Sequence, residues 1–188
     1  MKNAFFFGYG SLVNRSTHIY TDAHPASVRG WRRAWRHTDL RGVSFLTVVP
    51  DADCTIDGLI AGVPGDDWAA LDEREAAYGR VPVSDHVDHP LPQRPEIAIY
   101  AIAAPNHHSP TDAHPILLSY IDVVLQGYLR EFGTRGAQRF LDTTDGWHAP
   151  VLDDRAAPQD PRHQLLTSAE RAFVDDALTG KRVTRRKA

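Results

Sequence analysis

Three consecutive phenylalanines run straight into a glycine-punctuated turn, Phe5-Phe6-Phe7-Gly8-Tyr9-Gly10-Ser11-Leu12. Successive side chains of a strand point to opposite faces, so aromatics in a row read as a strand that is buried. Gly8 and Gly10 then allow a tight turn with backbone N–H groups facing outward, a seat for a carboxylate or phosphate. The same residues also fit a plain strand-to-loop turn. Two better-known glycine motifs are excluded by position. The third glycine of a dinucleotide fingerprint and the closing glycine of a nucleophile elbow would both fall at Val13, so Ser11 is not read as an activated nucleophile.

Some sixty residues on, an acidic segment carries Leu71-Asp72-Glu73-Arg74-Glu75. Asp66 or Asp67 can cap a helix here, and the run from Trp68 to Tyr78 has no Gly or Pro. At about 100° per residue, Trp68, Leu71, Glu75 and Tyr78 share one stripe while Glu73 and Arg74 point elsewhere. Glu75 is therefore the inward-facing carboxylate. Carboxylates on apolar faces are harder to ionise than exposed ones, which brings them toward the range useful for proton transfer. A buried glutamate satisfied by a tyrosine hydroxyl or a backbone N–H is the structural alternative.

Tyr9-Gly10-Ser11-Leu12 followed by Leu71-Asp72-Glu73-Arg74-Glu75 resembles the gamma-glutamylcyclotransferase-like superfamily, in which a Tyr-Gly-Ser loop precedes a Leu-Asp-x-x-Glu helix. Between the two, Val28-Arg29-Gly30-Trp31-Arg32-Arg33-Ala34 is similar to that family's Gly-aromatic-Arg strand. Thr55-Ile56-Asp57-Gly58-Leu59-Ile60 is similar to the strand that leads into the acidic helix. The resemblance runs from about Phe5 to Tyr128, with Tyr120 on a downstream helix as a pocket residue. Residues 143–147 and 153–158 look like extensions found in a bacterial branch and depart from the glutathione-acting members.

The resemblance implies an enzyme without cofactor or metal. The free α-amine of a γ-glutamyl group attacks its own γ-carbonyl, expels the attached amine and closes the lactam 5-oxoproline. The substrate supplies the nucleophile. By this resemblance Glu75 is the general acid/base, taking a proton from an ammonium of pKa about 8 and returning one to the departing nitrogen. The N–H groups of Gly10, Ser11 and Leu12 hold the substrate α-carboxylate, and the hydroxyls of Tyr9 and Tyr120 orient its ends.

At 188 residues and 42% hydrophobic content the chain fits one domain over residues 1–180, with residues 181–188 a basic disordered tail. A net charge of −3 gives no general attraction to nucleic acid or an anionic membrane, so the expected partner is a small molecule. Met1-Lys2-Asn3 and four apolar residues before Gly8 make too short a stretch for a secretory leader, and the expected location is the cytoplasm. One cysteine, Cys54, rules out an intrachain disulfide.

Strands are predicted at 4–9, 27–37, 43–49, 56–63, 80–87 and 97–103, and helices at 68–78, 116–132, 135–142 and 168–178 with Thr167 or Ser168 as N-cap. Strands followed by helices, without strict alternation, predict an α+β fold: a compact mixed sheet or small barrel with flanking helices, as the resemblance also implies. His86, His89, His107, His108 and His114 read as solvated rather than metal-binding, and Trp31 and Trp35 as core residues on one strand face. Trp147 is a candidate pocket wall, and residues 143–158 are the expected source of specificity. Two other functions fit the same pocket: hydrolysis or another acyl-amide reaction, and a binding module without turnover.

Overall fold

The computed structural model describes residues 4–39 and 42–188; residues 1–3, on which the reading of the chain's start rests, lie outside them. The phenylalanine strand β1 (Ala4–Gly8) is buried at every position and lies inside the sheet. It pairs antiparallel with β3 (Phe45–Gly62) and parallel with β6 (Glu96–Ala101). Phe5 and Phe7 enter the main core, whereas Phe6 joins a second cluster with Leu12, Leu71 and Tyr100. Each such ring contributes about 1.5–3 kcal/mol on burial, so β1 ties two cores together.

The sheet order is β4-β6-β1-β3-β2-β5, with β2 at His24–Arg36, β4 at Gly79–Pro82 and β5 at Val87–Asp88; β8 (Thr144–Asp145) adds parallel to β2. A second, all-parallel sheet is made of β7 (Ile116–Leu117), β9 (Val151–Asp153) and β10 (Arg185–Lys187). The long helix α2 (Leu118–Asp142) packs Ile121, Val124, Leu125 and Tyr128 into the main core. Its helical geometry breaks at Gly133, whose φ of 65° is a glycine conformation, which separates the two helices predicted at 116–132 and 135–142. α3 (Ser168–Gly180) opens on a capping box between Thr167 and Glu170. The fold is α+β, a mixed sheet with flanking helices. Among the described residues no helix is long and apolar enough to cross a membrane.

Several expectations are corrected. The strands predicted at 43–49 and 56–63 are one 18-residue strand, β3. Its polar middle reads as a turn, and β2 indeed pairs with it only on either side, at 45–50 and 55–60, with the register broken across residues 51–54, where Arg32 Nε meets Asp51 Oδ2 at 2.6 Å. The predicted strand 80–87 splits around a 3₁₀ turn at Ser84–His86. The tail is not disordered: Arg185–Lys187 pair with β9, Val183 packs on the main core, and Arg185 is paired with Asp175. Trp147 lines neither the cleft nor the cavities described below. It packs edge-on to Trp35 at 5.5 Å and donates from Nε1 to the Leu141 carbonyl at 3.2 Å. Trp31 and Trp35 both pack on the main core.

Candidate active site

The turn after β1 is a 3₁₀ helix, Ser11–Val13, held on three sides. From below, the buried guanidinium of Arg33 donates to the carbonyls of Tyr9 and Asp57 and to the hydroxyls of Tyr128 and Thr143. The rings of Tyr128 and Phe140 lie 5.0 and 4.9 Å from its central carbon. From the side, Asn14 Nδ2 donates to the Val123 carbonyl and Gln126 Oε1 of α2, at 3.0 and 2.9 Å. From above, the Tyr120 hydroxyl sits over Gly10, where a Cβ would come within 2.6 Å of it. Glycine at position 10 is thus a requirement of close approach.

The acidic helix α1 is shorter than predicted, Ala69–Arg74, with Asp67 Oδ1 accepting from the Ala69 amide at 2.9 Å. Glu75 is its C-terminal cap rather than an interior residue, because the chain turns there through a Tyr78 N–H bond to the Glu75 carbonyl and enters β4 at Gly79. The inward direction survives. The Glu75 carboxylate lines a narrow cleft of about 40 Å³ with Tyr9, Gly10, Ser11, Leu12 and Tyr120, the six residues predicted for the site. The structure brings all of them together.

Tyr78 and Tyr100 also line the cleft, with Phe7, Gly8 and Leu46, and were not singled out as site residues. Tyr78 follows Glu75 on the helix stripe, a usable signal; Tyr100 reads only as a strand residue. Tyr9 donates to the Tyr100 carbonyl at 2.7 Å, Tyr78 to the Leu46 carbonyl at 2.8 Å, and Tyr100 to Asp72. Burial pushes the Tyr9 and Tyr120 hydroxyls well above the usual phenol range, and the charge of Glu75 adds to this. These hydroxyls therefore stay protonated around the carboxylate.

The cleft opens into a cavity of about 330 Å³ that shares Ser11, Glu75, Tyr78 and Tyr120 and extends to Arg74, Phe45 and residues 159–162. Arg74 Nε lies 3.3 Å from Glu75 Oε1, and burial pulls the guanidinium below its ordinary value, with Arg162 adding to the effect. Residues 143–158 do not line this cavity. Thr143 holds Arg33, Asp154 accepts from Ser119, and Arg155 bridges Asp122 and Asp175. A larger cavity of about 610 Å³, lined by Arg29, Asp85, Asp88 and Arg94, carries none of the predicted groups and is an open groove beside β5. Size does not select the site; convergence of groups does. The histidine cluster has a packing role, with His114 stacked on His37 at 3.9 Å between ring centres.

A family model described as ChaC-like protein matches residues 4–116, more than half of the chain. The chain belongs to the ChaC-like family. Solved structures similar to this ChaC-like chain include a gamma-glutamyl cyclotransferase, at TM-score 0.58 and 12% identity over 93% of this chain and 99% of that one. A human protein described as uncharacterized is similar at TM-score 0.57 and 11% identity over the same shares. YkqA from Bacillus subtilis is similar at TM-score 0.57 and 15% identity over 74% of this chain and 53% of that chain. No curated protein matches. At these identities the likeness is one of fold and bears out the mixed-sheet architecture; it is the ChaC-like match that bears out the resemblance to the gamma-glutamylcyclotransferase-like superfamily.

Proposed function

We propose that this protein is a γ-glutamyl cyclotransferase that releases 5-oxoproline from a γ-glutamyl amide. The observation that carries the reading is the convergence of the Glu75 carboxylate, the Gly10, Ser11 and Leu12 turn and the Tyr9 and Tyr120 hydroxyls on one narrow cleft. Membership of the ChaC-like family supports it.

In this mechanism the substrate α-carboxylate sits against the turn and its γ-carbonyl beside Glu75. Glu75 removes a proton from the α-ammonium, the amine nitrogen forms a C–N bond to the γ-carbon, and the former amide C–N bond breaks. The proton held by Glu75 passes to the departing nitrogen, and the second proton shed by the attacking nitrogen as the lactam N–H forms follows it, so the amine leaves as an ammonium and no water is consumed. The cleft contributes chiefly by folding the substrate so that amine and carbonyl meet. The Tyr120 hydroxyl, kept protonated by its burial, is a donor for the oxygen on which charge develops.

The test is mass-spectrometric detection of 5-oxoproline from a panel of γ-glutamyl amides with the wild type and Glu75→Gln. Loss of a general acid/base predicts a fall in kcat of about 10²–10⁴-fold. Equal lactam from both proteins refutes the role of Glu75, and free glutamate in place of lactam refutes cyclisation in favour of hydrolysis.

A further inference from the structure

Arg33 lies beneath the cleft turn with 1% of its surface exposed, and lactam closure makes no use of its charge. Neutral groups surround the guanidinium. Nε donates to the Tyr9 carbonyl at 3.3 Å, Nη1 to Thr143 Oγ1 at 2.7 Å, and Nη2 to the Tyr128 hydroxyl at 2.6 Å and to the Asp57 carbonyl. Its central carbon lies over the rings of Tyr128 and Phe140. Among the described residues none of these partners is an anion. The Asp57 carboxylate is taken by Arg139, whose Nε and Nη2 reach Oδ2 at 2.8 and 2.7 Å. Burial pushes the Tyr128 hydroxyl up to about 12 although Arg33 pulls it the other way, so that partner is a phenol and not a phenolate.

Proteins pair the charges they bury, because an isolated ion in a low-dielectric interior is destabilising. Hydrogen bonds and ring faces solvate the Arg33 cation but leave its charge uncancelled, and an anion seated on the cleft turn cancels it in part. The connection between the two is one peptide unit. The Tyr9 carbonyl accepts from Arg33 and, at 3.0 Å, from the Tyr128 hydroxyl, and it belongs to the same peptide as the Gly10 N–H. Two donors on that oxygen draw electron density from the nitrogen and make its N–H a stronger donor. Under the cyclotransferase reading, on which this inference rests, the anion against the turn is the substrate α-carboxylate. We propose that Arg33 is a positioning residue for that carboxylate: without touching the substrate, its buried charge and its hold on the Tyr9 carbonyl make the turn select a negative charge over a neutral acceptor of the same shape.

The discriminating substrates are γ-glutamyl-alanine and the same compound with the glutamyl α-carboxylate replaced by a carboxamide, which differ in charge and hardly in shape. The readout is the ratio of their kcat/KM values for lactam release. The wild type is expected to favour the carboxylate by about tenfold or more, the size of one charge interaction over a few ångströms at intermediate dielectric. Arg33→Met and Arg33→Gln, the second of which keeps amide donors for the neighbouring carbonyls, are expected to lower that ratio about tenfold, and Arg33→Lys to keep most of it. Thr143→Val removes a neutral partner of the guanidinium and leaves its charge in place, so it is expected to lower the melting temperature without moving the ratio. A wild-type ratio near one, a ratio unmoved in the two neutral variants, or one moved as far by Thr143→Val overturns the role of Arg33 while leaving the cyclotransferase reading intact. Should both neutral variants fail to fold, the wild-type ratio and Arg33→Lys decide, and loss of the preference in folded Arg33→Lys overturns the role as well. Absence of lactam from γ-glutamyl-alanine and the rest of the γ-glutamyl panel with wild-type protein refutes the cyclotransferase reading itself, and the role of Arg33 falls with it.

Discussion

Gly10 shows how narrowly the cleft is built. A methyl group there would lie 2.6 Å from the Tyr120 oxygen, well inside contact distance, so either the turn or the tyrosine must move. Overpacking of this kind costs about 1–3 kcal/mol. Gly10→Ala is accordingly expected to lower both the melting temperature and lactam formation, and Tyr120→Phe, which removes the obstructing oxygen, to offset part of the stability loss. Thermal melts of the two single variants and the double variant check this. Strict additivity would mean that the two residues do not meet as described. Glu75, Tyr9 and Gly10 were legible in the sequence because a helix stripe and a strand-to-turn transition each impose a direction on particular side chains. Asp160 and Arg162, which line the adjoining cavity, were not. They lie in an irregular loop, where no period says which side chain turns inward.

At the scale of elements, the predicted helices and strands were right where burial was periodic and wrong where pairing overrode composition. The break at Gly133 was visible as two helical segments. The continuity of β3 was not, because Pro50, Asp51 and Asp53 mark a turn locally, whereas the same partner strand β2 takes up the pairing again at Thr55, which is a long-range property. The C-terminal elements are tied by charge as well as by the apolar stripe of α3, whose Val174 and Leu178 lie in the main core. Arg155 joins Asp122 on α2 to Asp175 on α3, and Arg185 on β10 meets the same Asp175. Burial pushes the Asp175 carboxyl upward, but the two arginines outweigh this and hold it below its ordinary value of 3.8. A carboxylate with a depressed folded-state value stabilises the protein above the unfolded value and loses that contribution as pH falls through the folded one. Asp175→Asn should therefore lower the melting temperature at neutral pH, and the difference from wild type should shrink below about pH 3.8. A difference that grows on acidification would reverse the assignment. Asp122 works in the opposite sense, since burial raises its carboxyl despite Arg155, so melts of Asp122→Asn should not show the same acid convergence.

Across the whole molecule, the part that holds the candidate catalytic groups and the part that closes the cavity come from different stretches of chain. The ChaC-like match ends at residue 116, with Glu75 and the Gly10 turn inside it, whereas Tyr120 and residues 159–162 lie beyond it. The later stretch is fastened to the first by α2 and by the small parallel sheet, whose edge strand β10 is made of the last residues of this chain. Removing residues 181–188 deletes that strand, the Val183 contact with the main core and the Arg185 partner of Asp175, but no residue of the cleft. A loss of about 2 kcal/mol from these few contacts corresponds to a fall in melting temperature of roughly 4–8 °C for a domain of this size. Because the deletion loosens the support of the cavity wall and spares Glu75, it should raise KM for a γ-glutamyl substrate more than it lowers kcat. Steady-state kinetics on the truncated chain separate the two cases: a loss confined to kcat would place the tail's influence on the catalytic cleft instead of on the loop that carries Asp160 and Arg162.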